Sequence, residues 1–275
     1  MTKENLNNGS DPFGLRNHDW RVRVPEKSEM FPLEEALTYI TECDYPETAD
    51  DLLLALEMQR FFGPAAIRRI RIIDMMCGPG RLGREFLNLG AQHVVFQDGD
   101  ETMITHAKNQ AFKVMKSGQS MGFVTSDVDR IPLPDNMFDL VICHNAIHQL
   151  SSDDRLPIVM KEFLRITAPL GHIVIADYQR HTTPEFLELL EERLQFTRPD
   201  VVPLLIPSFT AAFSKEEFSD VLRSMSGIKR WSVTDAQPPI LNRKWQERVD
   251  ADFVRGHIMD YSPISLRVIV QKEEL

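Results

Sequence analysis

With 275 residues, 43% of them hydrophobic, the chain is long enough to bury a core of its own. Its 41 acidic against 31 basic residues give a formal net charge of −10, which opposes attraction to a phosphate backbone, so nucleic acid is not expected as a partner. The three cysteines, Cys43, Cys77 and Cys143, form no CxxC pair and suggest a reducing, cytoplasmic setting, and no apolar run reaches the ~18 residues of a membrane span.

Residues 1–30 are polar and lack sustained periodicity, so a flexible N-terminal arm is expected there, with Arg16, Arg21, Arg23 and Lys27 in solvent. The rest, 31–275, reads as a single domain. Thr48-x-x-Asp51 resembles a capping box and opens a leucine-rich helix that runs through Phe62 to the stop at Gly63-Pro64. Hydrophobic blocks then alternate in period. Ile70 to Met75 reads as a strand, Arg81 to Leu89 as a helix, Gln92 to Gln97 as a strand, Asp100 to Lys116 as a helix and Gly122 to Thr125 as a strand. Phe138 to His144 is a further strand, Asp153 to Thr167 a helix, and His172 to Asp177 a fifth strand.

Continuous apolar runs such as Leu140-Val141-Ile142 fit strands buried on both faces, hence a parallel, doubly wound α/β sheet with helices on both sides and ligands at the strands' carboxyl ends. Thr183-Pro184 starts a helix expected to reach about Phe196. Ser214-x-x-Glu217 caps another, which stops before Gly227, and Lys229 to Thr234 and Leu266 to Gln271 are late strand candidates.

The densest chemical signal is the stretch Ile72-Ile73-Asp74-Met75-Met76-Cys77-Gly78-Pro79-Gly80-Arg81-Leu82-Gly83, a strand that breaks into a glycine turn and then a helix. Gly78 and Gly80 let a ligand approach backbone, and free N–H groups at the helix start suit its oxygens. Gly78-x-Gly80-x-x-Gly83 is formally a dinucleotide fingerprint, with Asp98 close to 20 residues beyond it. On the turn alone, a nicotinamide-dependent oxidoreductase and a methyltransferase both stand.

The wider sequence resembles the class I S-adenosylmethionine-dependent methyltransferase family. Asp74, Gly78 and Gly80 match its D-x-G-x-G-x-G turn, with Met76 in place of the first glycine. The segment Val95-Phe96-Gln97-Asp98-Gly99 looks like its strand-end acid. Ser126-Asp127-Val128 is similar to its adenine segment. Ile131-Pro132-Leu133-Pro134-Asp135-Asn136-Met137-Phe138-Asp139-Leu140-Val141-Ile142 is close to L-P-F-x-D-x-x-F-D-x-V, and Arg165 to Gly171 is similar to R-x-L-K-P-G-G. The likeness spans roughly residues 68–178.

The resemblance implies a seven-stranded, Rossmann-like sheet with one antiparallel strand, and S-adenosyl-L-methionine as cofactor. It assigns Asp74, Met76, Cys77, Gly78, Pro79 and Gly80 to the cofactor's turn, Asp98 and Gly99 to its ribose, and Asp127 and Val128 to its adenine. It also implies a substrate cover, inserted at about 184–213. His144 and His148 flank Asn145-Ala146-Ile147, where family members line the cofactor and acceptor pocket, so His148 is the first candidate base and His144 the second, with a cofactor contact besides. Cys77 reads as packing, and Tyr178 faces the same edge or packs. The expected reaction is methyl transfer to a small organic acceptor. Against the oxidoreductase stands the lack of any Tyr-x-x-x-Lys pair, and a protein that binds the cofactor without turnover is the non-enzymatic alternative.

Overall fold

The computed structural model describes residues 13, 15, 18–26, 40, 50–183, 186–188, 190–191, 202–236 and 265–274. Seven strands form one sheet: β1 (Arg71–Met75), β2 (His93–Asp98), β3 (Ser120–Thr125), β4 (Phe138–His144), β5 (Thr167–Tyr178), β6 (Ile228–Asp235) and β7 (Ser265–Lys272). Their order is β3-β2-β1-β4-β5-β7-β6. The first five are mutually parallel and β7 runs antiparallel to both neighbours, as the resemblance implied. The chain winds outward from β1 in one direction and from β4 in the other, so the crevice between their carboxyl ends is where a ligand belongs.

Two helical layers cover the sheet because the apolar residues of its central strands alternate between faces. Ile73, Met75, Val141 and Cys143 pack with Phe163 of helix α5 (Arg155–Ile166) and Phe218 of α7 (Lys215–Ser224). Ile72, Leu140 and Ile142 face Leu54 and Met58 of α1 (Asp50–Phe62), Phe86 of α3 (Arg81–Asn88) and Ala107 of α4 (Glu101–Val114). The single turn α2 (Pro64–Ile67) joins α1 to the sheet, and a 3-10 turn occupies Ile147–Gln149. Among the described residues, no helix is long and apolar enough to cross a membrane.

The expected element boundaries hold to within a few residues, with one exception. β5 begins at Thr167 rather than near His172, because Thr167 already pairs with Phe138 and the Pro-Leu-Gly segment is an irregularity inside the strand, with Leu170 at φ 61°. The segment 131–142 owes its shape to Arg165. This guanidinium donates to the carbonyls of Ile131 (2.9 Å) and Leu133 (2.8 Å) and to Asp135 (2.6 Å), while Glu162 grips its other side.

Of the N-terminal charges expected in solvent, Arg21 is exposed and Arg23 is not. Among residues 18–26, Trp20 and Arg23 are buried, and a third apolar cluster joins Leu15 and Trp20 to Phe186, Leu190 and Phe209 of the segment expected as a cover. The indole buries a large apolar ring with its N–H bonded to the Leu15 carbonyl, and the desolvation of the arginine, which lowers its pKa, is offset in part by Asp153. In that segment, residues 186–188 and 190–191 are helical and α6 spans Val202–Ala211. Thr48 of the expected capping box, Lys27, and residues 192–201 lie outside the described residues.

Gly83 shows how closely α3 is laid on β2: a Cβ added there would stand 2.2 Å from the Phe96 ring. Gly83→Ala is expected to cost about 1–3 kcal/mol by overpacking, read as a lower urea midpoint; an unchanged midpoint would show that the ring yields freely.

Candidate functional site

The turn between β1 and α3 is built on the end of β2. Three successive N–H groups of the turn, those of Met76, Cys77 and Gly78, donate to the Gln97 side-chain oxygen (3.2 Å), the Gln97 carbonyl (2.9 Å) and Asp98 Oδ2 (2.8 Å). Gln97, fully buried, donates in turn to the Ser126 carbonyl at 2.6 Å, so one amide ties the ends of β1, β2 and β3 together. Gln97 was not singled out from the sequence; the signal was there, a lone amide inside an apolar strand next to the strand-end acid. Gly78 (φ 51°) and Gly80 (φ 74°) take left-handed conformations, and Gly80 closes on α4, where a Cβ would lie 2.6 Å from that of Ala107. Pro79 is buried between them. Met76 stands where the family has glycine and adopts φ 51°, a conformation that costs a residue with a Cβ about 1–2 kcal/mol.

Carboxylates surround this turn. Asp74, buried at the end of β1, accepts from Gly83 N–H at 2.9 Å and so satisfies the amino end of α3. Burial pushes its pKa well above the ordinary carboxylate value, and repulsion from Asp51 and Asp98 adds to the rise. Asp98 accepts from Gly78 N–H and, at 2.9 Å, from Asp100 N–H; burial raises its pKa despite those bonds. Asp51, from α1, receives His144 Nδ1 at 2.7 Å and Arg81 Nε at 3.1 Å. Burial alone would raise Asp51, but the His144 bond and the cations outweigh it and hold its pKa low. Asp51 had been read only as part of a helix cap, because a contact 93 residues away in sequence leaves no local trace.

The remaining candidates divide. A Cβ at Gly99 would make an ordinary contact, 3.9 Å from the Ser126 carbonyl oxygen. Asp127 follows β3 with 61% of its side chain exposed and pairs with Arg155 at 2.6 Å, sharing that guanidinium with Asp129. Val128 is buried in the main core. Burial and the charges of Asp74 and Asp98 push the Cys77 thiol well up, which suits packing and not nucleophilic attack.

His144 ends β4, and His148 lies in the 3-10 turn beyond it. His148 is 3% exposed, with Nδ1 at 2.6 Å from Asp177 Oδ1. The other oxygen of Asp177 accepts the N–H groups of Ala146 (3.1 Å) and His148 (3.2 Å), so a single strand-end carboxylate fixes both turn and ring. Burial favours the neutral imidazole, but Asp177, joined by Glu26, outweighs it and the net pKa is raised. Asp177, though not His148, also lines a crevice with Leu54, His144, Asn145, Tyr178 and Arg267. Asp177 had been read only as a strand end.

A doubly wound sheet with a glycine turn at its switch point defines a nucleotide-type cofactor site. Comparison with known proteins specifies it. Residues 72–171 match the family described as methyltransferase domain. The ubiquinone/menaquinone biosynthesis C-methyltransferase UbiE of Pseudomonas fluorescens (strain Pf0-1) is 26% identical over 193 residues, 66% of this chain and 70% of that protein. UbiE of Pseudomonas aeruginosa (strain UCBPP-PA14) is 26% identical over 112 residues, covering 40% of this chain and 42% of its own length. Among solved structures the fold is shared with the plantazolicin methyltransferase BpumL in complex with SAH (12% identity, TM-score 0.60, 88% of this chain and 90% of that one). It is also shared with a SAM dependent methyltransferase from Aquifex aeolicus (17% identity, TM-score 0.56, 86% and 97%). Together these matches support a class I S-adenosylmethionine-dependent methyltransferase with S-adenosyl-L-methionine as its cofactor.

The turn fits that cofactor on chemistry. Asp74 and Asp98, buried together at the turn with Asp51 adding to the repulsion on Asp74, suit a ligand carrying positive charge better than a pyrophosphate.

Two outcomes are expected. Met76→Gly removes the left-handed strain and raises unfolding stability by about 1 kcal/mol, with no loss of S-adenosylhomocysteine affinity by calorimetry; a large loss of affinity would give the Met76 side chain a binding role. Asp74 holds a raised folded pKa, so its contribution is fully present below the unfolded carboxylate pKa and is lost as pH rises through the folded one. Asp74→Asn should therefore gain thermal stability relative to wild type toward neutral pH and lose that advantage in acid. Parallel stability curves across pH would refute the assignment.

Proposed function

We propose that the protein methylates a small organic acceptor bound at the carboxyl ends of β4 and β5, with His148 as the proton acceptor. The observation that carries this reading is the buried Asp177–His148 pair, whose carboxylate partner Asp177 also lines the crevice of Leu54, His144 and Tyr178. S-adenosyl-L-methionine supplies an electrophilic methyl on a sulfonium. Asp98 holds the ribose hydroxyls: its two backbone bonds leave further acceptor positions on an ionised carboxylate. The Asp127 carboxylate takes the adenine amine and the Val128 N–H a ring nitrogen. The turn from Asp74 through Met76, Cys77, Gly78, Pro79 and Gly80 cradles the methionine end, and Gly99 stands beside the ribose. His144, fixed by Asp51, borders cofactor and acceptor together.

Asp177 plays the orienting part. Its bond to Nδ1 fixes the tautomer that leaves Nε2 able to accept a proton from a hydroxyl or amine, as an acid does for histidine in hydrolytic triads. Small acceptors are supported by the relatives, whose names refer to quinone biosynthesis and to plantazolicin, and by the acidic charge of the chain. The domain reading is one unit with an inserted cover at about 184–213.

Calorimetric titration with S-adenosylmethionine, S-adenosylhomocysteine and NADH should show the two sulfur ligands binding and NADH not. Asp98→Ala should weaken the sulfur ligands by about 1.5–3 kcal/mol; undiminished affinity would remove it from the ribose site. On an acceptor found by screening, His148→Ala should lower kcat by about 10²–10⁴-fold with cofactor affinity intact. Because the imidazole pKa is raised, the acid limb of kcat should fall above 6.5, the ordinary histidine value. Full turnover without His148 would end its assignment as base.

A further inference from the structure

The N-terminal residues 18–26 bring charge to the catalytic end. Arg23 has no exposed side-chain surface. Its Nε donates to the Ala211 carbonyl (2.5 Å), NH1 pairs with Asp153 (3.0 Å), and NH2 donates to the carbonyls of His148 (2.8 Å) and Leu150. The guanidinium carbon lies 4.1 Å over the Phe213 ring. One side chain thus pins the end of α6, the 3-10 turn and the start of α5 together. Val24 N–H donates to the Thr210 carbonyl (3.0 Å), and Arg180 donates to the Trp20 carbonyl (3.0 Å).

Three residues beyond Arg23, Glu26 Oε1 accepts from Ser208 Oγ at 2.8 Å and stands 3.8 Å from His148 Nε2. The ring therefore has a carboxylate on each side, Asp177 on Nδ1 and Glu26 facing Nε2. Arg23 and the Tyr178 ring, at 5.4 Å between centroids, are the other groups that face it. At 3.8 Å no hydrogen bond is made, yet in a buried site the two charges attract far more strongly than they would in water.

We propose that Glu26 is a positioning residue for the methyl transfer: docked by Arg23, it faces His148 Nε2 and stabilises the imidazolium formed when that nitrogen takes the acceptor's proton. The acceptor's O–H or N–H bond breaks and the freed electron pair bonds the methyl; the methyl–sulfur bond breaks with its pair returning to sulfur, leaving S-adenosylhomocysteine, and the proton stays on Nε2 between ring and carboxylate. This role rests on the reading of His148 as base. The segment dismissed as an arm is then part of the acceptor site.

The test is an NMR titration of the His148 ring in the full-length, cofactor-free chain, comparing wild type with Glu26→Gln and Glu26→Asp. The glutamine keeps the shape and the Ser208 contact but removes the charge, so the midpoint should fall; aspartate, one methylene shorter, should fall between the two. Should the glutamine variant not fold, the aspartate variant alone reads the shift against wild type. The acid limb of kcat should move to lower pH with the midpoint, a change that a merely structural role would not produce. Midpoints that superimpose on wild type would overturn the proposal while leaving His148 as base. A shifted midpoint together with full turnover in His148→Ala would remove His148 as base and this role for Glu26 with it.

Discussion

The cofactor turn stands because the end of β2 accepts its hydrogen bonds. A turn that must present bare backbone to a ligand cannot satisfy its own N–H groups, and three of them in succession are taken by Gln97 and Asp98. The buried Gln97 amide then extends the tie to β3 through the Ser126 carbonyl. The parallel pairing of β1 with β2 holds these residues opposite the turn, so sheet register and cofactor site are one constraint.

Around that constraint the molecule spends stability on charge. Asp74 and Asp98 lie where burial and mutual repulsion favour their protonated forms, and Met76 is held in a conformation that glycine would take without strain. Arrangements of this kind are retained where a ligand offsets them. A cationic ligand does so directly, since its charge lowers the cost of ionising the buried acids.

The carboxyl ends of β4 and β5 follow a different logic. There the charges are paired: Asp177 with His148 and two backbone N–H groups, Asp51 with His144 and Arg81, Arg23 with Asp153 and three carbonyls. Each pairing joins elements distant in sequence, so this end becomes rigid only when the N-terminal segment, the 3-10 turn and α6 are all docked.

The sequence by itself determined what depends on short-range pattern. Alternation of apolar runs with helical periods marked the elements of the sheet in order, and the glycines with Asp74 and Asp98 at strand ends marked the turn between β1 and α3, because a left-handed turn and a strand-end acid are local requirements. The antiparallel β7 came only through the resemblance, since strand direction has no local signature. Only the tertiary structure decided which polar residues meet across the sheet. Gln97, Asp51 and Asp177 each looked like an ordinary strand or helix residue until another strand or helix brought its partner, and Arg23 looked like a solvated charge. Burial of a charge depends on which distant groups pack against it, and that is settled by the whole fold.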